Sequence, residues 1–157
     1  MTDIGQAATD HLALQGLMAA YARGVDTRDY EALGTLFAEN GRLVTRVGSE
    51  AEPRYALEGR ERVVRAMKTV EKYAATTHLL GLPSIELDGD EARCETHCLA
   101  HHLYERDGEA RIYLMSIRYQ DHCAREGPVW RFVERRLQVD WEEDRSFHPP
   151  QAPLGPR

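Results

Sequence analysis

Three turn sequences at nearly even spacing constrain the fold of this chain more than any other feature of its sequence. They are Asp88-Gly89-Asp90, Arg106-Asp107-Gly108-Glu109 and Arg125-Glu126-Gly127-Pro128. Glycine beside acidic residues, at the end of a run rich in apolar side chains, is typical of tight turns between antiparallel strands. We therefore predict that the four runs between Thr76 and Trp141 form a meander of long antiparallel strands.

The first half of the chain has the periodicity of helices instead. Residues 5–23 carry an apolar stripe with the three- and four-residue spacing of one helix face, formed by Leu14, Leu17, Met18 and Tyr21. Gly24 is predicted to end this helix. Asp29 is the predicted N-cap of a second helix, and residues 59–73 carry the stripe of a third.

The order of these elements predicts the fold class. Between the second and third helices, Asn40-Gly41 is predicted to be a turn, residues 42–46 a short strand and residues 48–55 a loop. Helices followed by a long antiparallel sheet define the α+β class, and sheets of long strands twist strongly. We therefore predict a cone-shaped barrel, in which a strongly curved mixed or antiparallel sheet wraps round about three N-terminal helices and encloses a pocket. Residues 1–144 are assigned to this single domain and residues 145–157 to a proline-rich tail.

The composition excludes several classes of function. The 157 residues carry 20 basic and 26 acidic side chains, a net charge of −6, without a basic stripe, which argues against nucleic acid as a partner. No apolar run approaches the roughly 18 residues that a membrane span requires, and residues 1–10 lack the basic start of a secretory signal. The three cysteines have no C-x-x-C spacing and are predicted to be free thiols of a reducing compartment. We therefore expect a cytoplasmic protein with no membrane partner.

Three stretches of sequence resemble the SnoaL-like family of the nuclear transport factor 2-like superfamily. They are Tyr21-Ala-Arg-Gly-Val-Asp26-Thr-Arg-Asp29-Tyr30, Thr76-Thr77-His78-Leu-Leu-Gly81 and Gly127-Pro-Val-Trp130-Arg-Phe132. With the residues that follow each of them, they cover about residues 8–142 in the order of the family. The resemblance implies the cone-shaped fold. It leaves the activity open, because the superfamily includes dehydratases, isomerases, cyclases, a dehydrochlorinase, dioxygenase β subunits and members without chemistry.

The resemblance also implies a catalytic pair. In the dehydratases and the dehydrochlorinase of the superfamily, an aspartate after the first helix supports a histidine on the first long strand, and Asp26 and His78 match these positions. Taken alone, Asp26 has the alternative interpretation of a turn or cap residue, and His78 that of a core residue. An imidazole accepts a proton at one nitrogen when a carboxylate holds the hydrogen of the other. Tyr21 and His102 match two further catalytic positions of the dehydratases.

The alternation of side chains along a strand supports a pocket position for His102. The even-numbered residues from Ala92 to Tyr104 are mostly small and apolar, which suits the inner face of a cone. His102 lies on that face, whereas His97 and His101 point outward. His97 and His101 are about 13 Å apart along a strand, too far for a shared ion with ligand distances of about 2.0–2.1 Å, so no metal site is predicted.

Four residues are predicted to bind the substrate, namely Arg135, Thr45, Met115 and Tyr113. Arg135 matches an arginine of the dehydrochlorinase. From the sequence it has three alternatives: it meets an anion or Asp26 in the pocket, it pairs across a subunit interface, or a bulge turns it to solvent. Val25, Thr45 and Met115 stand where scytalone dehydratase has two tyrosines and an asparagine, which argues against a scytalone-like substrate.

These observations predict a cofactor-independent lyase or isomerase of the dehydratase type. The substrate would be a small, largely apolar compound, either cyclic or acyclic. His78, oriented by Asp26, would remove a proton from it, and Tyr21 or His102 would donate one. The absence of a glycine-rich phosphate loop from the sequence favours a pocket without a cofactor. The alternatives are a ligand-binding or assembly module of the same fold, and a polyketide cyclase. The resemblance further implies a homo-oligomer, a trimer or dimer joined by the outer face of the sheet, and we expect Met115, Ile117 and Tyr119 to make such contacts.

Overall fold

Helical periodicity gives one long helix and two short ones. The computed structural model describes residues 4–148. Its helices are α1 (Ile4–Thr27), α2 (Tyr30–Thr35) and α3 (Arg60–Met67), and a 3₁₀ helix continues α3 over Lys68–Lys72. None of these described helices is both long and apolar enough to cross a membrane.

Two of the predicted helix signals, the apolar stripe of α1 and the Asp29 N-cap, are confirmed. The apolar stripe of α1 is buried against the sheet, so that face of the helix forms part of the core. Asp29 caps α2, because its side chain accepts a hydrogen bond of 3.0 Å from the backbone N–H of Ala32. Leu33 of α2 is fully buried. These local signals determine where the first two helices begin and how they face the core.

Within residues 4–148, seven strands form one sheet. They are β1 (Phe37–Val47), β2 (Tyr55–Glu58), β3 (Ala75–Leu80), β4 (Ser84–Asp88), β5 (Glu91–Arg106), β6 (Glu109–Glu126) and β7 (Val129–Ser146). The three predicted turns join β4 to β5, β5 to β6 and β6 to β7, and each of these neighbouring pairs is antiparallel. The meander is therefore confirmed.

The sheet is mixed and curled. Its strand order is β2-β1-β7-β6-β5-β3, with β4 paired to the first part of β5. β1 runs parallel to β7, and the other neighbours are antiparallel. The α+β class and the curved sheet around the helices are confirmed, but β2 and β3 remain separate edges, so the sheet is curled and not closed into a barrel.

Alternation along β5 and β6 separates an inner face from an outer one. The even-numbered residues of β5 from Ala92 to His102 are buried, while their odd-numbered neighbours are at least partly exposed. On β6 the paired inner positions include Met115, Ile117 and Tyr119. Ile117 and Tyr119 are buried in the core and Met115 packs against it. The expectation that these three residues make subunit contacts is therefore wrong, because they face the helices.

Two glycines mark close approaches of the backbone and not the ends of elements. Gly24 does not end α1, which continues to Thr27 and carries Asp26 in its last turn. A Cβ atom at Gly24 would lie 2.8 Å from Cγ of Leu33, so glycine lets α2 pack against α1. Gly41 does not form a turn but lies inside β1, where the pairing with β7 shifts register. A Cβ atom there would lie 2.9 Å from a backbone oxygen of Ala38.

The remaining boundaries differ in detail from the predictions. The loop over residues 48–55 passes into the short strand β2, and the third helix tightens to a 3₁₀ helix after Met67. β7 extends to Ser146, two residues beyond the predicted domain end. The rest of the predicted tail, from residue 149 onward, lies outside the described residues.

Two of the three glycines of α1, Gly16 and Gly24, provide a test of this packing. We expect Gly24→Ala to lower the free energy of unfolding by about 1 kcal/mol or more, because overpacking against Leu33 outweighs the gain in helix propensity. Gly16→Ala is the matched control, because a Cβ atom there has no neighbour within 4 Å, and it should stabilise the protein by about 1 kcal/mol. Urea unfolding of both variants checks this. Stabilisation by both substitutions would contradict it.

Candidate active site

Asp26 and His78 are in direct contact. Asp26 lies at the end of α1 and His78 in β3, and Nδ1 of His78 is 2.8 Å from Oδ1 of Asp26. The backbone N–H of His78 donates a hydrogen bond of 3.0 Å to Oδ2 of the same carboxylate. The side chains of His78 and Asp26 are only 6% and 20% exposed. The two residues that the resemblance pairs therefore meet in surroundings that exclude most water.

The directions of the neighbouring hydrogen bonds determine where the protons lie. Arg28 can only donate, and its Nη1 is 2.7 Å from Oγ1 of Thr76, so this hydroxyl accepts from Arg28. The Thr76 hydroxyl then donates its own hydrogen to Oδ1 of Asp26, at 2.9 Å. Asp26 is thus an ionised acceptor, and Nδ1 of His78 carries the hydrogen of their shared bond. In the neutral ring, Nε2 of His78 is then the nitrogen with a free lone pair.

The Asp26 carboxyl is held in its charged form. Burial alone would raise its pKa, but the hydrogen bonds from the side chain and backbone of His78, with one from the Thr76 hydroxyl, bring the net pKa below the usual value. The carboxylate is therefore ionised at neutral pH. A negative charge at this distance stabilises the imidazolium that forms when His78 takes up a proton.

His102 lies beside His78 on the inner face of the sheet. The two ring centroids are 5.9 Å apart and the rings are nearly perpendicular, at 80°. Nδ1 of His102 is 3.2 Å from the backbone oxygen of Tyr113, which can only accept, so Nδ1 carries the hydrogen and Nε2 is an acceptor. Burial, together with the neighbouring His78, lowers the pKa of His102 to about 4. A neutral His102 with this tautomer favours acceptance of a hydrogen bond over the predicted donation of a proton.

Aromatic side chains surround His102. The ring of Tyr73 lies 4.7 Å from that of His102, and Tyr104 and Tyr113 lie 6.1 and 6.5 Å from Tyr73. Tyr113, a predicted substrate-binding residue, shares the inner face with His102, and its hydroxyl donates to Glu142. Burial and the Glu142 carboxylate raise the pKa of Tyr113, which keeps its hydroxyl protonated. This group of rings forms an aromatic wall on one side of the histidines.

Tyr21 lies in a second buried cluster. The guanidinium of Arg135 stacks 4.1 Å from its ring centroid, and Phe37, Phe132 and Tyr119 surround the ring. Burial raises the pKa of Tyr21 to about 12, so its hydroxyl is protonated at neutral pH. The ring of Tyr21 therefore packs within this cluster. The predicted catalytic role of Tyr21 would require its hydroxyl to contact a substrate beside His78.

Arg135 is buried and paired within its own chain. Its Nε and Nη2 donate to the two carboxylate oxygens of Asp121, at 2.8 and 2.7 Å, and the arginine is 1% exposed. Burial alone would lower the pKa of Arg135, but the Asp121 carboxylate raises it above the usual value, so the guanidinium stays charged. Arg135 therefore contacts Asp121 on the next strand. It does not contact Asp26, a second subunit or solvent, which the alternatives from the sequence required.

A β-bulge explains why an arginine occupies this inner position. The register between β6 and β7 shifts at His122 and Cys123, which leaves Val133 without a partner. Before the bulge the inner residues of β7 are Trp130 and Phe132, and after it they are Arg135 and Val139. The extra residue changes the parity, so Arg135 follows the large apolar side chains into the core.

The other two predicted substrate-binding residues lie apart from one another. Met115 is opposite Ala100 in the register and lies on the inner face with His102. Thr45 lies in β1, between Tyr55 of β2 and Leu137 of β7, three strands from β5 in the sheet order. The structure thus groups Met115 and Tyr113 with His102, and places Thr45 three strands away from them.

Two cavities of about 440 and 380 Å³ open on the outer face of the sheet. Side chains of both charges line the larger one, among them Glu86, Arg93 and Arg136. Asp26 and His78 line neither cavity. The predicted space around the pair is therefore not provided by these two cavities, and the side chains of His78 and Asp26 are only 6% and 20% exposed.

Sequence reasoning missed three residues that hold these groups in place, namely Thr76, Arg28 and Asp121. Thr76 lies two residues before His78 and therefore on the same strand face, a signal that the parity rule contains. Asp121 lies on the inner parity of β6 between Tyr119 and Cys123, where a carboxylate requires a buried partner. Arg28 has no such signal, because its position depends on the path of the chain after α1.

The family can now be tested by comparison. Residues 6–136 match the family model of the SnoaL-like domain. The chain belongs to the SnoaL-like family. Among the curated proteins, it is 24% identical over 127 residues to the uncharacterised protein Rv2910c of Mycobacterium tuberculosis, with 81% of this chain and 83% of the relative covered.

Solved structures show the same fold at low sequence identity. A protein of Novosphingobium aromaticivorans, provisionally assigned as a scytalone dehydratase, has a TM-score of 0.77 and 20% identity, with 98% of both chains covered. The hexachlorocyclohexane dehydrochlorinase LinA type 2 has a TM-score of 0.78 and 18% identity, covering 96% of this chain and 100% of the other. At these identities the similarity is one of fold.

The buried His102 predicts a pH dependence of stability. Its pKa of about 4 lies below the ordinary value of 6.5, so the unfolded chain binds this proton more readily. As the pH falls from about 7 to 4, wild type should lose up to about 3 kcal/mol relative to His102→Gln. Urea unfolding across this range measures the difference. His97→Gln, at an exposed position, should follow wild type, and a parallel loss in His102→Gln would contradict the prediction.

The Arg135–Asp121 pair predicts a large cost for a single substitution. Asp121→Asn leaves a buried guanidinium without a counter-charge, and we expect a loss of about 3–5 kcal/mol in the free energy of unfolding. Asp140→Asn is the matched control, because Asp140 makes the same two-bond contact with Arg118 on the surface, at 2.8 Å for both bonds. It should cost at most about 1 kcal/mol. Equal costs in urea unfolding would show that burial of the pair is not decisive.

Proposed function

We propose that this protein is a cofactor-independent lyase or isomerase of the dehydratase type, in which His78 is the general base. The contact of 2.8 Å between Asp26 and Nδ1 of His78 carries the proposal. An ionised carboxylate at Nδ1 orients the ring, selects Nε2 as the base and stabilises the imidazolium. The fold shared with a dehydrochlorinase and with a protein assigned as a dehydratase supports the same class of reaction.

The geometry favours one base that both takes and returns the proton. Nε2 of His78 removes a proton from a carbon next to a carbonyl group, and the carbonyl oxygen takes up the electron pair as an enolate. The imidazolium then returns this proton, either to a departing hydroxyl, which leaves as water, or to another carbon of the same compound. His102 is neutral and has an acceptor at Nε2, so it would orient a substrate hydroxyl. The inner positions next to it, Ala100 and Met115, suit a small and largely apolar substrate.

A non-catalytic module of the same fold is the second candidate function. It is favoured by the low exposure of His78, at 6%, and by the position of the two cavities on the outer face. In an enzyme, the surroundings of this largely buried pair must open to admit a substrate. In a module, the pair would instead hold the end of α1 against β3.

Hydrogen exchange into candidate substrates separates the two functions. We expect wild type in D₂O to incorporate deuterium into members of a panel of cyclic ketones and β-hydroxy ketones, and to dehydrate some of the latter. His78→Gln should reduce the rate by about 10²–10⁴-fold, because positioned acid–base catalysis contributes that much. Mass spectrometry and NMR follow both reactions.

The controls use histidine substitutions of the same kind. His97→Gln changes an exposed histidine and should leave the exchange rate unchanged. Circular dichroism and unfolding curves establish that both variants are folded. A folded His78→Gln protein that exchanges as fast as wild type would overturn the proposal, and exchange by neither protein with any compound would favour the module.

A further inference from the structure

Arg28 occupies a position where glycine would be less costly. It follows the last residue of α1 and has a φ of 63°, in the left-handed region. The N–H groups of Arg28 and Asp29 bond back to the oxygens of Val25 and Gly24, at 3.3 and 2.9 Å, which is the hydrogen-bond pattern of a helix end that usually contains glycine. A non-glycine residue with this backbone is strained, so its side chain has to offset a cost.

The Arg28 side chain makes several hydrogen bonds that offset this backbone strain. Its Nη1 donates to the backbone oxygens of Val25 and Asp26, both at 3.0 Å, and to Oγ1 of Thr76 at 2.7 Å. Its Nη2 donates to the backbone oxygens of Val70 and Tyr73, at 3.4 and 3.3 Å. One guanidinium therefore joins three parts of the chain: the end of α1, the segment from Val70 to Tyr73, and β3.

The contact with Thr76 differs from the others, because it determines where the hydroxyl hydrogen of Thr76 points. A threonine hydroxyl can donate one hydrogen and can direct it to any nearby acceptor. Arg28 has no lone pair to receive it, so the hydrogen bond between them occupies the acceptor side of the hydroxyl. The hydrogen of Thr76 is left for Oδ1 of Asp26, the same oxygen that receives Nδ1 of His78.

We propose that Arg28 is a positioning residue for the Asp26–His78 pair, and that it acts through Thr76 by directing the threonine hydroxyl toward the carboxylate. With three donors directed at it, Asp26 remains a pure acceptor, and the imidazole hydrogen remains on Nδ1. This inference deepens the proposed function, because it identifies what keeps Nε2 of His78 available as the base.

The first experiment follows the titration of Asp26 itself, by ¹³C NMR of its side-chain carboxyl in the protein without substrate. Thr76→Val removes the hydroxyl at nearly constant shape, and we expect the titration midpoint of Asp26 to rise by roughly one pH unit. Thr76→Ser retains the hydroxyl and should restore the wild-type midpoint. Thr77→Val is the matched control, since Thr77 is exposed on the other face of β3.

The second experiment tests whether Arg28 acts through Thr76. Arg28→Gly removes the guanidinium while the backbone keeps a residue suited to its φ, so the helix end is retained. It should raise the Asp26 midpoint in the wild-type background, and should have no further effect in a Thr76→Val background. Arg23→Gly would weaken the helix itself, so Arg23→Met, at an exposed position of α1, is the control for loss of a charge.

The outcomes separate this inference from the proposed function. Additive shifts from Arg28→Gly and Thr76→Val, or an unchanged midpoint in Thr76→Val, would overturn the role of Arg28, whatever the activity. If the shifts are non-additive as expected but no compound is turned over, the positioning network stands and the proposed reaction fails. If both hold, Thr76→Val should reduce turnover by about tenfold, with Thr76→Ser restoring it.

Discussion

The contact between the Asp26 carboxylate and His78 is the interaction on which the candidate site depends. It joins the end of α1 to an edge strand of the sheet through two bonds to one residue, from the ring at 2.8 Å and from the backbone at 3.0 Å. The carboxylate is largely buried, so its charge must be compensated by donors on several sides. His78, Thr76 and, behind Thr76, Arg28 provide them. The same network that stabilises a buried charge therefore also determines which nitrogen of the imidazole is free.

Much of the fold could be predicted from the sequence, because its signals are local. Turn glycines, the apolar stripe of α1 and the Asp29 cap each act within a few residues, and the alternation along β5 places His102 inside without further information. Gly24 and Asn40-Gly41 were interpreted wrongly for a physical reason. The missing Cβ that permits a turn also permits close packing, and only the neighbours Leu33 and Ala38 distinguish the two.

The candidate site was less predictable, because its partners come from distant parts of the chain. The pairing of Asp26 with His78 came from the family resemblance, and no local pattern joins residues so far apart in sequence. The sequence does not identify Asp121 as the partner of Arg135, although both residues lie on inner positions of neighbouring strands. The tautomer of His102 depends on the backbone oxygen of Tyr113, which no side-chain pattern indicates.

The bulge at Val133 limits how the last strand can change length. On either side of it, β7 presents inner residues of opposite parity, so the strand is in phase with β6 only while that one extra residue is present. An insertion or deletion of a single residue between Phe132 and Arg135 would bring a charged guanidinium to the surface and leave Asp121 buried alone. Turns between the long strands can vary in length, whereas the segment from Phe132 to Arg135 can gain or lose residues only in pairs if Arg135 is to stay opposite Asp121.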